Sequence, residues 1–446
     1  MADKLLVRAY NVELGDCVYC RIPKAKKVGA QFEDFHILVD CGSLNAGNHL
    51  KAAIENVETL LPDIGGNKRR LDLLVVTHEH KDHIAGFDPQ VFNNITIDRI
   101  WMNTAMDPAH PQAGRQTLRL QQLATIAMRN LAALNLELSP EIESLVELYA
   151  VGNDAAMAAL RTTLPNQNGI TATYVHAGMP AAELGLPALQ GTSISVIGPE
   201  HDIDRFYLGA DADENLFGLA ATGAAFSNRP PGEPPVLSNI SQLDFRKLQS
   251  RMMSSALAFA DLSNKVTNNT SIVLLIEWKG KRLLFVGDAE WDRKFKEGKA
   301  NGAWNVMWHE RKSQLDAPLH FLKIGHHGSE NATPWNDLED GQVTEPSTIL
   351  DAILPRPAGN AAPKAKAVVS TKRKNYETIP RSALLAEIGT RVSNVRNYKQ
   401  ALGAEASNLP NYTEFEKPWI EAKQPLRTDC ELVLNGVPFV DVEIEA

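Results

Sequence analysis

The sequence predicts an α/β protein. Three observations carry that expectation: a strand hairpin near the start, a strand–helix–strand run between Phe35 and Val76, and a second family of short apolar strands between Ser271 and Ser370. In the hairpin, Leu5–Val12 and Cys17–Ile22 flank Glu13-Leu14-Gly15-Asp16, a turn signal. Phe35–Asp40 is an apolar run stopped at Gly42. His49–Leu61 has helical spacing. Leu71–Val76 is a short continuous apolar run, the kind that becomes a strand buried on both faces.

The middle of the chain changes character. Leu120, Leu123, Ala127, Leu131 and Leu134 step by three and four, which is one helical face. Ser139-Pro140 reads as an N-cap and a first helical position, and Asn153 starts a further helix through Arg161. Residues 110–165 are therefore expected as a helical insertion. Thr192–Ile197 returns to strand, and 205–265 read as an irregular insertion with a Pro-rich loop at Arg229–Pro235. Ser271–Trp278 and Arg282–Val286 form a hairpin across Lys279-Gly280. Phe321–Ile324 and Ala367–Ser370 are further strands, Ser382–Ile388 is helical, and Glu431–Val442 is strand-like. The expected organisation is one domain over 1–400 carrying both insertions, with a 401–446 extension ending in a strand.

Composition bounds the function. In 446 residues, 45 Lys and Arg face 54 Asp and Glu, for a net charge of −9, which argues against a protein coated in nucleic acid. A local basic groove remains open: residues 361–400 hold nine Lys/Arg against only Glu377 and Glu387. Four cysteines make no disulfide scaffold. Cys17 and Cys20 lie on one strand, whose alternation puts them on opposite faces, so a shared zinc or redox role is not expected. Met1–Tyr10 lacks a basic-then-apolar leader pattern, and the longest apolar runs are too short to span a bilayer. A reduced, cytoplasmic protein with no membrane partner is expected.

The chemistry concentrates at strand ends. Thr77-His78-Glu79-His80-Lys81-Asp82-His83 follows directly on Leu71–Val76. In extended chain His78 and His80 project the same way and can share one metal. Asp82 continues that row, while His83 turns away and can reach a second metal. Imidazole with carboxylate suits Zn²⁺, Mn²⁺ or Fe. Asp288 ends the strand Leu283–Val286 and could bridge two cations. His326-His327 ends Phe321–Ile324. Adjacent histidines point apart, so one is expected to ligate and the other to contact substrate.

At these residues the chain resembles the metallo-β-lactamase fold superfamily, and most closely the hydrolase domain of ComEC-type DNA-uptake competence proteins. Val12-Glu-Leu-Gly-Asp16 resembles that branch's V-G-Q-G-D turn, and Leu38-Val-Asp40-Cys-Gly42 its I-D-x-G strand end. Asn268-Asn269-Thr-Ser271 resembles N-N-x-S, Gly287-Asp288-Ala289 resembles G-D-A, and Lys323-Ile-Gly-His326-His327-Gly-Ser329 resembles K-V-x-H-H-G-S. The resemblance implies a four-layer αββα sandwich with two divalent ions at one edge, Zn²⁺ favoured. It implies His78, His80 and Asp288 on one ion, and Asp82, His83, Asp288 and one of His326/His327 on the other. Asp40 would stand behind them. Many superfamily members carry a further histidine, for which His201 is the candidate. Ile379 stands where the branch has a late histidine, and the branch's membrane channel has no counterpart here.

The implied function is a dinuclear-metal hydrolase, a phosphodiesterase or nuclease acting on DNA or RNA through a metal-bridging hydroxide. Asp82 would orient the nucleophile. His326 or His327, Asn269 and Ser329 would hold or protonate the substrate. Lys372-Arg373-Lys374 would replace the missing phosphate contact with point charges and an Arg fork. Two other readings stay open: a hydrolase of a small ester (a phosphocholine-type phosphodiester, a lactone or a β-lactam), and a non-enzymatic protein that binds a partner through the helical insertion.

Overall fold

The computed structural model describes residues 3–44, 47–112, 153–209, 264–335, 342–358, 364–371, 379–392, 430–432 and 439–446. In chain order the first strands are β1 (Lys4–Tyr10), β2 (Val18–Val28), β3 (Gln31–Val39), β4 (Asp63–Gly65), β5 (Lys68–Leu71), β6 (Leu73–Val76), β7 (Ile95–Ile97), β8 (Ile100–Asn103) and β9 (Ala172–Val175). Then come β10 (Thr192–Gly198), β11 (Val273–Trp278), β12 (Lys281–Phe285), β13 (Phe321–Lys323), β14 (Lys366–Val369), β15 (Cys430–Leu432) and β16 (Phe439–Glu445).

They form two large sheets. One has the order β16-β1-β2-β3-β6-β8-β9, the other β10-β11-β12-β13-β14-β15. Each starts as an antiparallel meander and continues as parallel strands: β3, β6, β8 and β9 in the first, β12 to β15 in the second. A three-stranded ribbon, β4-β5-β7, stands apart.

Alternation along the strands decides the layers. Leu5, Val7, Ile37, Val39, Leu73 and Val75 of the first sheet meet Leu274, Ile276, Leu283, Phe285, Phe321 and Val368 of the second in a core between the sheets. The intervening residues face outward. Leu38, Leu74 and Val76 pack under Leu50, Ile54 and Val57 of the helix Gly47–Leu60. Leu275, Leu284, Leu322 and Val369 pack under the helices Ala303–Glu310, Glu345–Ile353 and Ser382–Val392. The result is the expected αββα sandwich. Among the described residues no helix is long and apolar enough to cross a membrane.

Two runs read as single strands are divided. Leu71–Val76 breaks at Asp72, a fully buried carboxylate that accepts from the backbone of His36 (3.0 Å) and pairs with Lys26 and Arg70. Leu71 closes β5 in the ribbon, and Leu73 opens β6 in the main sheet. The tail run also splits: β15 extends the second sheet parallel to β14, and β16 lies antiparallel to β1 at the edge of the first. The helix expected from Asn153 runs without a break from Asp154 through Asn168, with a wider turn at Ala159–Thr163. The Leu120–Leu134 helix, Ser139-Pro140, most of the irregular insertion and Lys372-Arg373-Lys374 lie outside the described residues.

Candidate metal centre

Four strand ends converge on one rim. Asp40 follows β3, Thr77 follows β6, Asp288 follows β12 and His326-His327 follows β13. β3 and β6 are parallel neighbours, as are β12 and β13, so within each pair the carboxyl ends open on the same side. Backbone contacts hold the turns together. Asp16 N donates to Asp82 O and Cys41 N donates to His83 O, each at 2.9 Å. Gly42 sits so close that a Cβ there would lie 2.2 Å from the His83 nitrogen.

Within this frame the side chains form two adjoining groups. His78, His80 and Asp288 offer ligand atoms all within 4.8 Å of one another, and so do Asp82, His83, Asp288 and His327. Asp288 belongs to both: Oδ2 lies 3.6 Å from His78 Nε2, and Oδ1 lies 3.1 Å from His83 Nε2. His78 Nε2 and His80 Nδ1 are 3.0 Å apart, as the extended spacing predicts. Asp82 departs from the expected row. The extended chain ends at His80, and Lys81–Ile84 is a helical turn that swings Asp82 beside His83.

Each imidazole is held from behind. Asp40 Oδ1 accepts from Thr77 N (2.7 Å) and Asp40 Oδ2 from Thr77 Oγ1 (2.6 Å), and Asp40 Oδ2 also faces His83 Nδ1 at 2.8 Å. His327 Nδ1 faces the Ser370 carbonyl at 2.9 Å. Ser271 Oγ lies 3.2 Å from His78 Nδ1 and accepts from Asp288 N. These contacts leave Nε2 of His78, His83 and His327 aimed inward, the arrangement that orients metal-binding histidines.

Burial and neighbouring charges act differently on the members of the cluster. Burial alone would discharge His83, but Asp288 and Asp40 on either side outweigh it and hold its pKa well above the ordinary value. Burial also opposes ionisation of Asp288, yet His83, His326 and His78 keep its pKa well below the carboxylate range. Burial pushes His80 down to about 4 and keeps its ring neutral, the form that ligates. Asp82 Oδ1 and Asp288 Oδ2 are buried without a hydrogen-bond partner among the described residues. Orphaned carboxylate oxygens are costly. Nitrogen and carboxylate donors converging on such a spot fit divalent transition-metal ions.

The adjacent histidines separate as expected. His327 is buried, and its Nε2 lies 2.9 Å from Asp82 Oδ2. His326 stays partly exposed and belongs to neither group; its Nε2 is 3.8 Å from Asp288 Oδ2. On its other side, Nδ1 lies 3.6 Å from Oε1 of Glu290, a buried residue absent from the sequence-based candidates. Glu290 Oε1 also accepts from Asn268 Nδ2 at 2.8 Å. The signal was the spacing, since Glu290 stands two residues past Asp288 in the same turn. Ser271 was quoted only as part of a motif, and its contact with His78 crosses between the sheets.

Other candidates fall elsewhere. The side-chain oxygen Oδ1 of Asn269 accepts from Glu290 N (3.0 Å) and Ala303 N (2.7 Å), so it ties two loops together. Ser329 Oγ donates to Asn331 at the edge of the site. His201 is exposed and outside both groups; its ring packs against His110 and His176, with centroids 4.4 and 4.8 Å away. Pro380, which follows Ile379, lies against Gly328, and Arg381 N donates to the Gly328 carbonyl.

No curated protein matches this chain. Residues 30–103, the stretch from β3 through β8 that carries Asp40, His78, His80, Asp82 and His83, match the family model described as the Metallo-beta-lactamase superfamily, whose members are generally hydrolases that bind divalent metals.

Proposed function

We propose that the protein is a metal-dependent phosphodiesterase that cleaves nucleic acid. The observation that carries this reading is the pair of adjoining ligand groups sharing Asp288. His78, His80 and Asp288 would hold one divalent ion, and Asp82, His83, Asp288 and His327 the other. Bound there, the ions would supply hydroxide from water at neutral pH and neutralise charge developing on phosphoryl oxygens.

The protein's own residues do the rest. Asp40, Ser370 and Ser271 fix the ring orientations before substrate arrives, so little reorganisation accompanies reaction. The floor of the site is buried, which excludes bulk water from below. His326 is the imidazole left facing outward, and it contacts a phosphate oxygen or the departing oxygen. Glu290 places a carboxylate 3.6 Å from its far nitrogen. The nucleic-acid substrate rests on the likeness of the Asn268–Ser271 and Lys323–Ser329 segments to the competence-protein branch.

Purified protein should carry close to two divalent ions per chain by elemental analysis, and His78→Ala with His80→Ala should lower that count. It should cleave DNA or a generic phosphodiester only with metal, and Asp288→Asn should abolish the cleavage. A chain that stays metal-free after reconstitution defeats the reading. Turnover of a lactone or β-lactam with none of a phosphodiester would replace nucleic acid with a small ester.

A further inference from the structure

Among the described residues Lys323 is the only buried lysine. It lies on β13 of the second sheet and reaches across to Asp16, in the β1–β2 turn of the first. Its Nζ is 2.8 Å from Asp16 Oδ1, and it donates to Asp16 Oδ2 at 2.9 Å and to the Ile324 carbonyl at 3.0 Å. Asp16 is part of a third ligand group: Asp16, Asp40 and His83, all buried, also bring ligand atoms within 4.8 Å of one another. His83 belongs to this group and to the one it forms with Asp288.

The third group differs from the other two in that one of its members, Asp16, is already paired with a lysine. Both oxygens of Asp16 lie within 3 Å of that ammonium, and Oδ1 has no hydrogen-bond partner among the described residues, so the ion pair is what offsets its charge. Two carboxylates beside an imidazole, without compensating charge, would attract a divalent ion. An ammonium is a compact point charge that can take that place without coordinating the imidazole.

We propose that the Lys323 ammonium is a resident third cation, which neutralises Asp16 and closes the Asp16–Asp40–His83 group to divalent ions, so that His83 stays committed to the side of Asp288. The same salt bridge joins the strand that leads to His327 to the turn whose backbone supports Asp82, so it also sets the spacing between the sheets at the rim.

The test counts ions. After equilibration with Mn²⁺ and dialysis, Lys323→Ala should retain one ion per chain more than the wild type, read by inductively coupled plasma mass spectrometry. Lys323→Arg keeps a cation and should retain the wild-type number. Asp16→Asn combined with Lys323→Ala removes the carboxylate and should return the number to that of the wild type. Should Lys323→Ala unfold without metal, Mn²⁺ titration should restore its circular dichroism, and the count is taken on the refolded chain. An equal count in Lys323→Ala and wild type overturns the proposal, as does an extra ion that persists in the double variant or a chain that no Mn²⁺ concentration refolds. The readout is a difference from wild type, so it stands apart from whether the wild type itself holds two ions.

Discussion

His326 and His327 are neighbours in sequence with opposite surroundings, and their substitutions should separate accordingly. Both occupy positive φ, 42° and 53°, a region that costs about 1–3 kcal/mol for residues other than glycine. The two strained residues turn the rings apart, one inward to Asp82 and one outward past Glu290. His327→Ala should therefore lower metal content and activity together. His326→Ala should keep its metal and lose turnover, by about 10²–10⁴-fold if the ring assists proton transfer. Elemental analysis beside a phosphodiesterase assay on both variants checks this. Equal metal loss in both would mean that His326 also ligates. Glu290→Gln should follow His326→Ala in keeping metal, because the carboxylate touches the outward ring and lies outside both ligand groups.

At the scale of elements, the metal motif depends on turns that touch backbone to backbone. The β1–β2 turn, the Asp40–Ser43 turn and the helical turn Lys81–Ile84 stack with no side chain between them. Gly42 makes that contact feasible. A methyl group at this position would meet the His83 nitrogen at 2.2 Å and the Asp82 carbonyl carbon at 2.3 Å. Gly42→Ala must push the helical turn outward, taking Asp82 and His83 with it. Overpacking of this kind typically costs about 1–3 kcal/mol. The expected outcome is a lower melting temperature and weaker binding by the Asp82–His83 group, with the His78–His80 group less affected. Calorimetric metal titration of the variant would show one site weakened; two unchanged sites would refute the coupling. β16 illustrates a different kind of support. Arg8 on β1 is paired with Asp441 at 2.7 Å and lies over the Phe439 ring, so the last described strand covers an edge that β1 would otherwise expose.

In the molecule as a whole, the two sheets bury a common apolar core but contribute different ligands at its rim. His78, His80, Asp82 and His83 come from the first sheet, and Asp288 and His327 from the second. A bound ion would cross-link the sheets there, and the ion-free state leaves buried carboxylates facing one another. Stability should therefore follow metal occupancy. A ligand present at 100 times its Kd stabilises the native state by about 2.7 kcal/mol. Chelation should lower the melting temperature of the wild type by several degrees, and re-addition of metal should restore it. The His78→Ala, His80→Ala variant should show a smaller shift. A wild-type melting temperature indifferent to chelation would indicate that the rim does not join the sheets through metal.

Much of this architecture could be read directly from the residues. Strands such as Leu73–Val76 and Leu283–Phe285 announce themselves because burial on both faces demands an unbroken apolar run. The His78–His83 motif is legible because its ligands are local, and a two-residue step in extended chain brings His78 and His80 together without help from the rest of the fold. Asp288 and the His326-His327 pair stand out in the sequence because each ends an apolar strand, where α/β sheets gather their chemistry, whereas Asp40 is marked only by the resemblance of its segment to a family motif. Other features depend on partners far away along the chain. The break at Asp72 is set by Lys26 and Arg70, and the roles of His326 and His327 by Glu290, Asp82 and Ser370. Asp82 left its expected row because a helical turn, braced by Asp16 and Gly42, replaced extended chain after His80. His201 was drawn in by its strand-end position, but its ring packs against His110 and His176. Local spacing determines which side chains can share a face. Which of them share a centre depends on how two sheets, hundreds of residues apart in sequence, close over one core.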